Sequence, residues 1–247
     1  MNFKHRHGFG CLVAACVVLL FASACDSPLD VETPRNRYAD NVSVLPGEDI
    51  GTPVSVDIPI DTTGGKWTPA HFSAALVLDA SGSITSEMNQ YLRQSANAFL
   101  DSLDGVLDEG VVVHFNGTAT IAQSLTSDVS ALRAAVSALP RTGSTAMWDG
   151  LSYAMQELAD KGSHERKAVI LITDSDDNAS VFATPSKVLA YAGEHDIMVY
   201  TITLHLTSRE LVLRNIAQQT DGRHYSLPEL YSLQSIYREV AALLRNP

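Results

Sequence analysis

Three short, continuously apolar runs constrain the fold of this chain most, because segments of helical periodicity separate them. The runs are residues 72–78, 168–173 and 197–203. A strand that is apolar on both faces must be covered on both faces, as in a parallel sheet, whereas a half-exposed strand alternates apolar and polar residues. The pattern predicts an α/β domain in three layers, with a doubly wound, mostly parallel sheet between helices.

Two further strands are predicted at residues 111–115 and 118–122, with only Asn116 and Gly117 between them. Both residues accept the positive φ values of a two-residue hairpin, so we expect one antiparallel strand at the edge of the sheet. Helical stripes at residues 88–103 and 147–158 predict core-facing helices, and Thr184 before Pro185 marks the start of another. The predicted order is βα, ββ, α, α, βα, βα, βα.

The first residues of the chain are typical of an export signal. Lys4 and Arg6 precede an apolar stretch at residues 11–22, and small residues follow it. About 20 apolar residues are needed to cross a membrane, so the stretch favours a signal peptide over residues 1–24, with a short membrane anchor as the alternative. All three cysteines lie within the first 25 residues, which excludes a disulfide or a thiolate zinc site in the rest of the chain.

The small residues before Cys25 resemble the lipobox of bacterial lipoproteins, in which the Cys carries the lipid. Ala22 departs from the pattern, which usually has Leu at that position. We therefore predict lipidation at Cys25, with ordinary signal cleavage as the alternative, and a flexible tether over residues 25–70 before a domain at 71–247. The protein is then expected to be exported and held at the cell membrane or the outer membrane, facing the periplasm or the cell surface.

The overall charge excludes one class of partner. The formal net charge is −11, whereas nucleic-acid binding needs clustered Lys and Arg on one face. We expect no nucleic-acid partner.

Oxygen-bearing side chains follow the ends of the predicted strands. Asp79, Ser81 and Ser83 alternate after the first strand, so an extended segment would point all three the same way. Thr145 precedes the third helix and Asp174 ends the strand at 168–173. Ligands of parallel sheets bind at the carboxyl ends of the strands. Hydroxyls and carboxylates, without His or Cys, select Mg²⁺ or Mn²⁺ over zinc or copper, with Ca²⁺ as a further alternative.

These residues resemble the metal-ion-dependent adhesion site of the von Willebrand factor type A domain. The family pattern is Asp-x-Ser-x-Ser, then Thr, then Asp, and all five positions are filled here, although Ser175 stands where Gly is common. The resemblance implies that Ser81, Ser83 and Thr145 contact the ion and that Asp79 and Asp174 often act through water. It also implies that a protein partner supplies an Asp or Glu to the open position of the ion.

Each segment also has a structural interpretation: a capped turn at Asp79, a helix N-cap at Thr145 and an Asx turn at Asp174. Asp176 and Asp177 are predicted to lie in a solvated acidic loop, with a weak second cation site as the alternative. Trp148 fits either the core or the rim of a partner surface, and we expect His114, His205 and His224 to be packed or capped.

The functional prediction is a membrane-tethered, non-catalytic binding module with no catalytic residues. One alternative keeps the fold but makes the domain a scaffold of an envelope complex, with the ion structural. The other is a metal-assisted hydrolase, which the sequence supports little because it lacks Gly-x-Ser-x-Gly, His-Glu-x-x-His, a phosphate-binding Gly-rich loop and a catalytic Cys.

Overall fold

The structure is a computed structural model that describes residues 70–205, 208–226 and 229–246. The predicted signal peptide, the Cys25 lipidation site and all of the tether before residue 70 lie outside these residues, as does the short strand that alternation at 54–60 would favour. None of the helices in the described ranges has the length and apolar character that crossing a membrane requires.

The described residues form one six-stranded sheet with the order β3-β2-β1-β4-β5-β6. The strands are β1 Ser73–Asp79, β2 Glu109–Phe115, β3 Ala119–Thr126, β4 Lys167–Thr173, β5 Ile197–Thr203 and β6 His224–Ser226. Every neighbouring pair is parallel except β2 and β3, which are antiparallel. The predicted fold class is confirmed, including the single antiparallel edge strand.

Helices cover both faces of this sheet. They are α1 Ser86–Leu100, α2 Val129–Ser137, α3 Met147–Lys161, α4 Pro185–Glu194, α5 Glu210–Gln219 and α6 Leu233–Arg245, which follows a 3₁₀ turn at Leu230–Ser232. One buried cluster lies between the sheet and α1, α2 and α6, and a second lies between the sheet and α3, α4 and α5. Along β1, Leu76 and Leu78 belong to the first cluster, and Ala75 and Val77 to the second. This double coverage explains why the central strands are apolar throughout.

Local signals set where several helices begin. The side chains of Thr85 and Asp128 cap α1 and α2 by accepting hydrogen bonds from backbone N–H groups in the first turn. Thr184 does the same for α4, with Pro185 in the first turn, as predicted.

The β2–β3 connection differs from the predicted two-residue hairpin. Phe115 pairs with Ala119, so three residues form the loop, and neither Asn116 nor Gly117 adopts a positive φ. The Asn116 side chain instead accepts the Thr118 N–H at 3.2 Å, and the Asn116 carbonyl accepts the Ala146 N–H at 2.7 Å. This loop is therefore held partly by the segment before α3.

Candidate metal centre

The candidate site lies where β1 and β4 end side by side. Leu78 pairs with Ile172, so Asp79 and Thr173 follow at the same edge of the sheet. The Thr173 hydroxyl donates to Asp79 Oδ2 at 2.7 Å, and the Asp174 N–H lies 3.4 Å from the same oxygen. Asp79, Thr173 and Asp174 are all buried. The parallel pairing of two apolar strands thus places two carboxylates together at one edge.

A turn after β1 adds two hydroxyls to this edge. Ser81 and Ser83 share a hydrogen bond of 2.9 Å between their Oγ atoms, and Ser83 donates to Asp174 Oδ1 at 2.7 Å. The alternation argument assumed an extended segment. The segment is instead a turn, in which the Ser81 N–H donates back to Asp79 Oδ1 at 2.9 Å. The predicted residues do lie together, but the cause is a turn and not the alternation of side chains along a strand.

Two glycines allow the turn to approach the segment before α3. The Gly82 N–H donates to the Gly143 carbonyl at 2.9 Å, and Gly143 has a φ of 88°, in the left-handed region that favours glycine. A Cβ on Gly82 would meet the Gly143 oxygen at 3.3 Å. This close approach brings Gly143, two residues before Thr145, against the turn.

Thr145 joins the site through the loop that follows β4. Its hydroxyl lies 3.0 Å from the Ser175 hydroxyl, and its N–H donates to Asn178 Oδ1 at 2.9 Å. The N-cap of α3 is Ala146, which has no side-chain cap, so the N-cap interpretation of Thr145 is wrong. Thr145 is buried, and its hydroxyl faces the loop that carries Asp174.

The electrostatics of the site call for a cation. Burial raises the pKa of the Asp79 carboxyl, hydrogen bonds from Ser81 and Thr173 lower it in part, and repulsion from Asp174 raises it further. Among the described residues, no Lys, Arg or His forms an ion pair with either carboxylate. Two buried, mutually repelling carboxylates linked by hydroxyls fit a divalent ion, which would supply the missing positive charge.

The donor set also limits the kind of ion. Within the ranges that the structure describes, no three His, Cys, Asp or Glu side chains form a metal-binding group. Any ion at this edge would thus be held chiefly by hydroxyls and two carboxylates, a hard oxygen environment.

Three residues of the site escaped the sequence-based prediction. Thr173 donates to Asp79 and also receives the Ser175 N–H at 3.2 Å, while Ser175 and Asn178 contact Thr145. Thr173 had a usable signal, since it is the polar residue that ends an apolar run. Asn178 had none, because its partner Thr145 is 33 residues away in the sequence.

Asp176 and Asp177 differ from the predicted solvated acidic loop. Asp176 accepts the Arg209 N–H at 3.0 Å and also bonds Ser208, at the start of α5. Asp177 accepts the Trp148 N–H at 3.2 Å, at the start of α3. Both carboxylates attach the loop after β4 to helix amino ends, where negative charge is favourable.

Trp148 and two of the three histidines singled out in the sequence have structural roles. Trp148 is buried in the cluster beneath α3, so it does not form the rim of a surface. His224 Nδ1 shares a hydrogen bond of 2.8 Å with Thr201, and burial lowers the pKa of both His224 and His114. His205, in contrast, is exposed.

Comparison with known proteins agrees with this geometry. The sequence profile of the von Willebrand factor type A domain matches residues 75–239. No match is found among curated protein sequences. A solved von Willebrand factor type A protein from Catenulispora acidiphila is 21% identical, with a TM-score of 0.63, over 71% of this chain and 43% of that one.

Two further solved structures share the fold. The PilB minor pilin from Streptococcus sanguinis is 16% identical, with a TM-score of 0.56, over 72% of this chain and 62% of that protein. Proximal thread matrix protein 1 from the mussel byssus was solved with zinc in its metal-ion-dependent adhesion site (MIDAS) motif. It is 23% identical, with a TM-score of 0.58, over 71% of this chain and 46% of that protein. This chain therefore spans less than two thirds of each, and the similarity establishes the fold.

Proposed function

Because the chain belongs to the von Willebrand factor type A family, we propose that its domain binds a protein partner through a divalent cation. One observation carries the proposal. Asp79 and Asp174 are buried at the edge of the sheet without a basic partner among the described residues, and hydrogen bonds connect them through the Ser81 N–H and the hydroxyls of Ser81 and Ser83.

Five residues would hold the ion: Asp79, Ser81, Ser83, Thr145 and Asp174. When bound, the ion supplies an open coordination position that an Asp or Glu of the partner completes. Three of the five donors are neutral hydroxyls, and if Asp79 and Asp174 act through water, as the family resemblance implies, the ion would keep charge that its direct ligands do not compensate. Thr173 and Ser175 would orient these donors through the bonds described above.

We expect Mg²⁺ at this site, with Mn²⁺ and Ca²⁺ as alternatives. Oxygen donors favour hard cations, and zinc is the ion in the mussel structure. Isothermal titration of the full chain with each ion measures the preference. If the measured Kd values give a higher occupancy by Zn²⁺ than by Mg²⁺ at the free concentrations of the two ions, the Mg²⁺ assignment is wrong.

The metal site is tested by thermal unfolding with Mg²⁺ and with EDTA. A ligand that binds only the folded state stabilises it by about 2.7 kcal/mol at 100 times its Kd, so the melting temperature should rise with Mg²⁺. Asp174→Ala should remove the rise. Asp160→Asn is the matched control, since Asp160 is an exposed carboxylate on α3, and it should keep the rise. An equal rise in both variants would refute the site.

Partner capture is tested separately from metal binding. Acidic peptides or candidate envelope proteins should bind the full chain in Mg²⁺ and dissociate in EDTA. A large Mg²⁺-dependent stabilisation without any acidic partner would instead favour the structural-ion alternative. Turnover of a hydrolysable substrate that is lost in Asp174→Ala would overturn the non-catalytic assignment.

The proposal includes export and a lipid tether at Cys25. The support is the sequence pattern of residues 1–25. Mass spectrometry of the mature amino terminus measures it directly. We expect Cys25 to carry acyl chains and the Cys25→Ser variant to lack them. A mature protein without acyl chains would instead support ordinary signal cleavage and secretion.

A further inference from the structure

Ser175 follows Asp174 directly and brings a hydroxyl to the candidate site. It stands where the family pattern commonly has Gly, which carries no hydroxyl. Among the described non-glycine residues, a positive φ occurs only at Asp196 and Asp221, so the backbone at position 175 does not require glycine. The backbone therefore accepts a serine, and the residue is partly exposed beside the buried Asp174.

The backbone of Ser175 is held by Thr173. The Ser175 N–H donates to Thr173 Oγ1 at 3.2 Å, and the Ser175 carbonyl oxygen lies 3.0 Å from the same atom. The Thr173 hydroxyl has one hydrogen, and the shorter of its two acceptor distances is the one to Asp79 Oδ2, 2.7 Å. Ser175 is thus fixed relative to Asp79, one of the five predicted ligands.

The Ser175 hydroxyl has one described partner, which is the Thr145 hydroxyl at 3.0 Å. Among the residues that the structure describes, Thr145 Oγ1 likewise bonds no other group. Either hydroxyl can be the donor in this pair, because each has one hydrogen and can also accept. The direction of this bond is therefore open until something else binds Thr145.

A bound cation would set the direction. A hydroxyl binds a cation through a lone pair, so its hydrogen points away from the ion and must be donated elsewhere. The only described acceptor for the Thr145 hydrogen is Ser175 Oγ. When Thr145 is the donor, Ser175 is the acceptor, and the hydrogen of the Ser175 hydroxyl is free for a further acceptor.

We infer that the Ser175 hydroxyl donates this hydrogen to the carboxylate of the partner, at the oxygen that does not bind the ion. The inference rests on the proposed function and deepens it. Ser175 is then a specificity-determining residue of the partner site, a role that glycine cannot take.

A carboxylate of the partner suits this donor. It has two oxygens, and when one of them completes the coordination of the ion, the other still needs a hydrogen bond. A hydroxyl that donates to a charged oxygen makes a short and strong bond. The other serine hydroxyls have acceptors inside the site, since Ser83 donates to Asp174 at 2.7 Å and Ser81 can donate to Ser83 at 2.9 Å.

The test begins with selection of a peptide library on the full chain in Mg²⁺, with elution by EDTA. The library has one fixed Glu, no other acidic residue and blocked ends. A selected peptide is then titrated at saturating Mg²⁺ against the unmodified chain and Ser175→Ala. We expect the alanine variant to bind it at least about tenfold more weakly, because a hydrogen bond to a charged group is lost.

Saturating Mg²⁺ is needed because Ser175→Ala also removes the acceptor of the Thr145 hydrogen. We therefore expect a weaker Mg²⁺ affinity as well, which calorimetric titration without peptide measures separately. Ser175→Thr keeps the hydroxyl and should restore most of both affinities.

The matched control is Ser180→Ala, in the same loop. The Ser180 hydroxyl donates to Asp177 Oδ2 and accepts the Asp149 N–H at 3.1 Å, and neither partner is one of the five predicted ligands. This variant should bind Mg²⁺ and the peptide like the unmodified chain. All three variants should unfold cooperatively on heating without Mg²⁺, which shows that they are folded.

Three results separate the possible failures. Equal peptide affinity of the unmodified chain and Ser175→Ala at saturating Mg²⁺ would mean that the hydrogen goes to water or to Asp174, and it would overturn this inference alone. An equal loss in Ser180→Ala, or no recovery in Ser175→Thr, would assign the effect to the loop backbone and would also overturn the inference. If no peptide binds the unmodified chain in a Mg²⁺-dependent way, the proposed function is overturned as well.

Discussion

Replacement of Asp149 by Ala should detach the loop at residues 181–183, which lies between β4 and α4, from the first turn of α3. The Asp149 carboxylate is buried and accepts the N–H groups of Val181, Phe182 and Ala183. Alanine removes all three acceptors at once. The expected result is a destabilised loop beside an intact sheet, because no strand contributes to these bonds.

The size of the effect follows from the exposure of each donor. Hydrogen bonds to charged groups contribute about 1.5–3 kcal/mol each, but Val181 and Phe182 are exposed, so water can replace part of what is lost. Ala183 is buried, and its unpaired N–H costs about 1–3 kcal/mol. We expect Asp149→Ala to lower the free energy of unfolding by about 3 kcal/mol.

Asp149→Asn should cost less, about 1 kcal/mol. Oδ1 accepts from both Phe182 and Ala183, while Oδ2 accepts only from Val181. An amide that places its oxygen at the Oδ1 position keeps two of the three bonds and loses the third.

Urea denaturation measures the change in the free energy of unfolding, and hydrogen exchange of the amides of residues 181–183 measures local opening of the loop. Exchange distinguishes local opening of the loop from a loss of global stability. Asp160→Asn, at an exposed position of α3, should change the free energy of unfolding by less than about 0.5 kcal/mol. If Asp149→Ala matches this control and the amides of residues 181–183 stay protected, the account of the loop is refuted.

Three other substitutions test single contacts by the shift of the urea midpoint. Thr173→Val keeps the shape but removes the donor to Asp79, so stability without metal should fall by about 1–3 kcal/mol; no change would contradict the bond. Gly222→Ala would place a Cβ 2.0 Å from the Val199 carbonyl oxygen, and the backbone must shift, at a cost of more than about 2 kcal/mol; tolerance would contradict the close packing there. Tyr237→Phe removes a buried hydroxyl without a hydrogen-bond partner in the described structure, so stability should stay the same or rise by up to about 1 kcal/mol, and a clear loss would reveal a partner.

The elements that were predicted correctly from the sequence are those whose apolar side chains must be buried. Strand β5 was expected at residues 197–203 and lies at Ile197–Thr203, because burial on both faces requires a continuous apolar run. The predicted order includes a strand before the last helix, and β6 is that strand, but its residues were not predicted because His224–Ser226 has only three residues and no such run. The antiparallel pairing of β2 and β3 was predicted, but the length of the loop between them was wrong, and the Asn116 carbonyl bonds Ala146 there, a contact that no local pattern indicates.

The same division applies to the candidate site. Asp79 and Asp174 were predictable because each ends a buried strand, and adjacent parallel strands end together. Asp149 was not, since its partners lie 32 to 34 residues further along the chain. A carboxylate in the first turn of a helix has an ordinary local explanation, so its sequence context gives no reason to expect a distant role.

The loop after β4 is held by bonds that do not involve its side chains at positions 181 and 182. Asp149, Asp177 and Asn178 hold the loop through backbone N–H groups, which every residue except proline provides. The side chains at positions 181 and 182 contribute nothing to those bonds. Substitutions of Val181 or Phe182 should therefore leave the backbone of the loop in place, because both side chains are exposed. Metal binding would depend instead on the buried oxygens at the strand ends, so it should tolerate changes at these two positions.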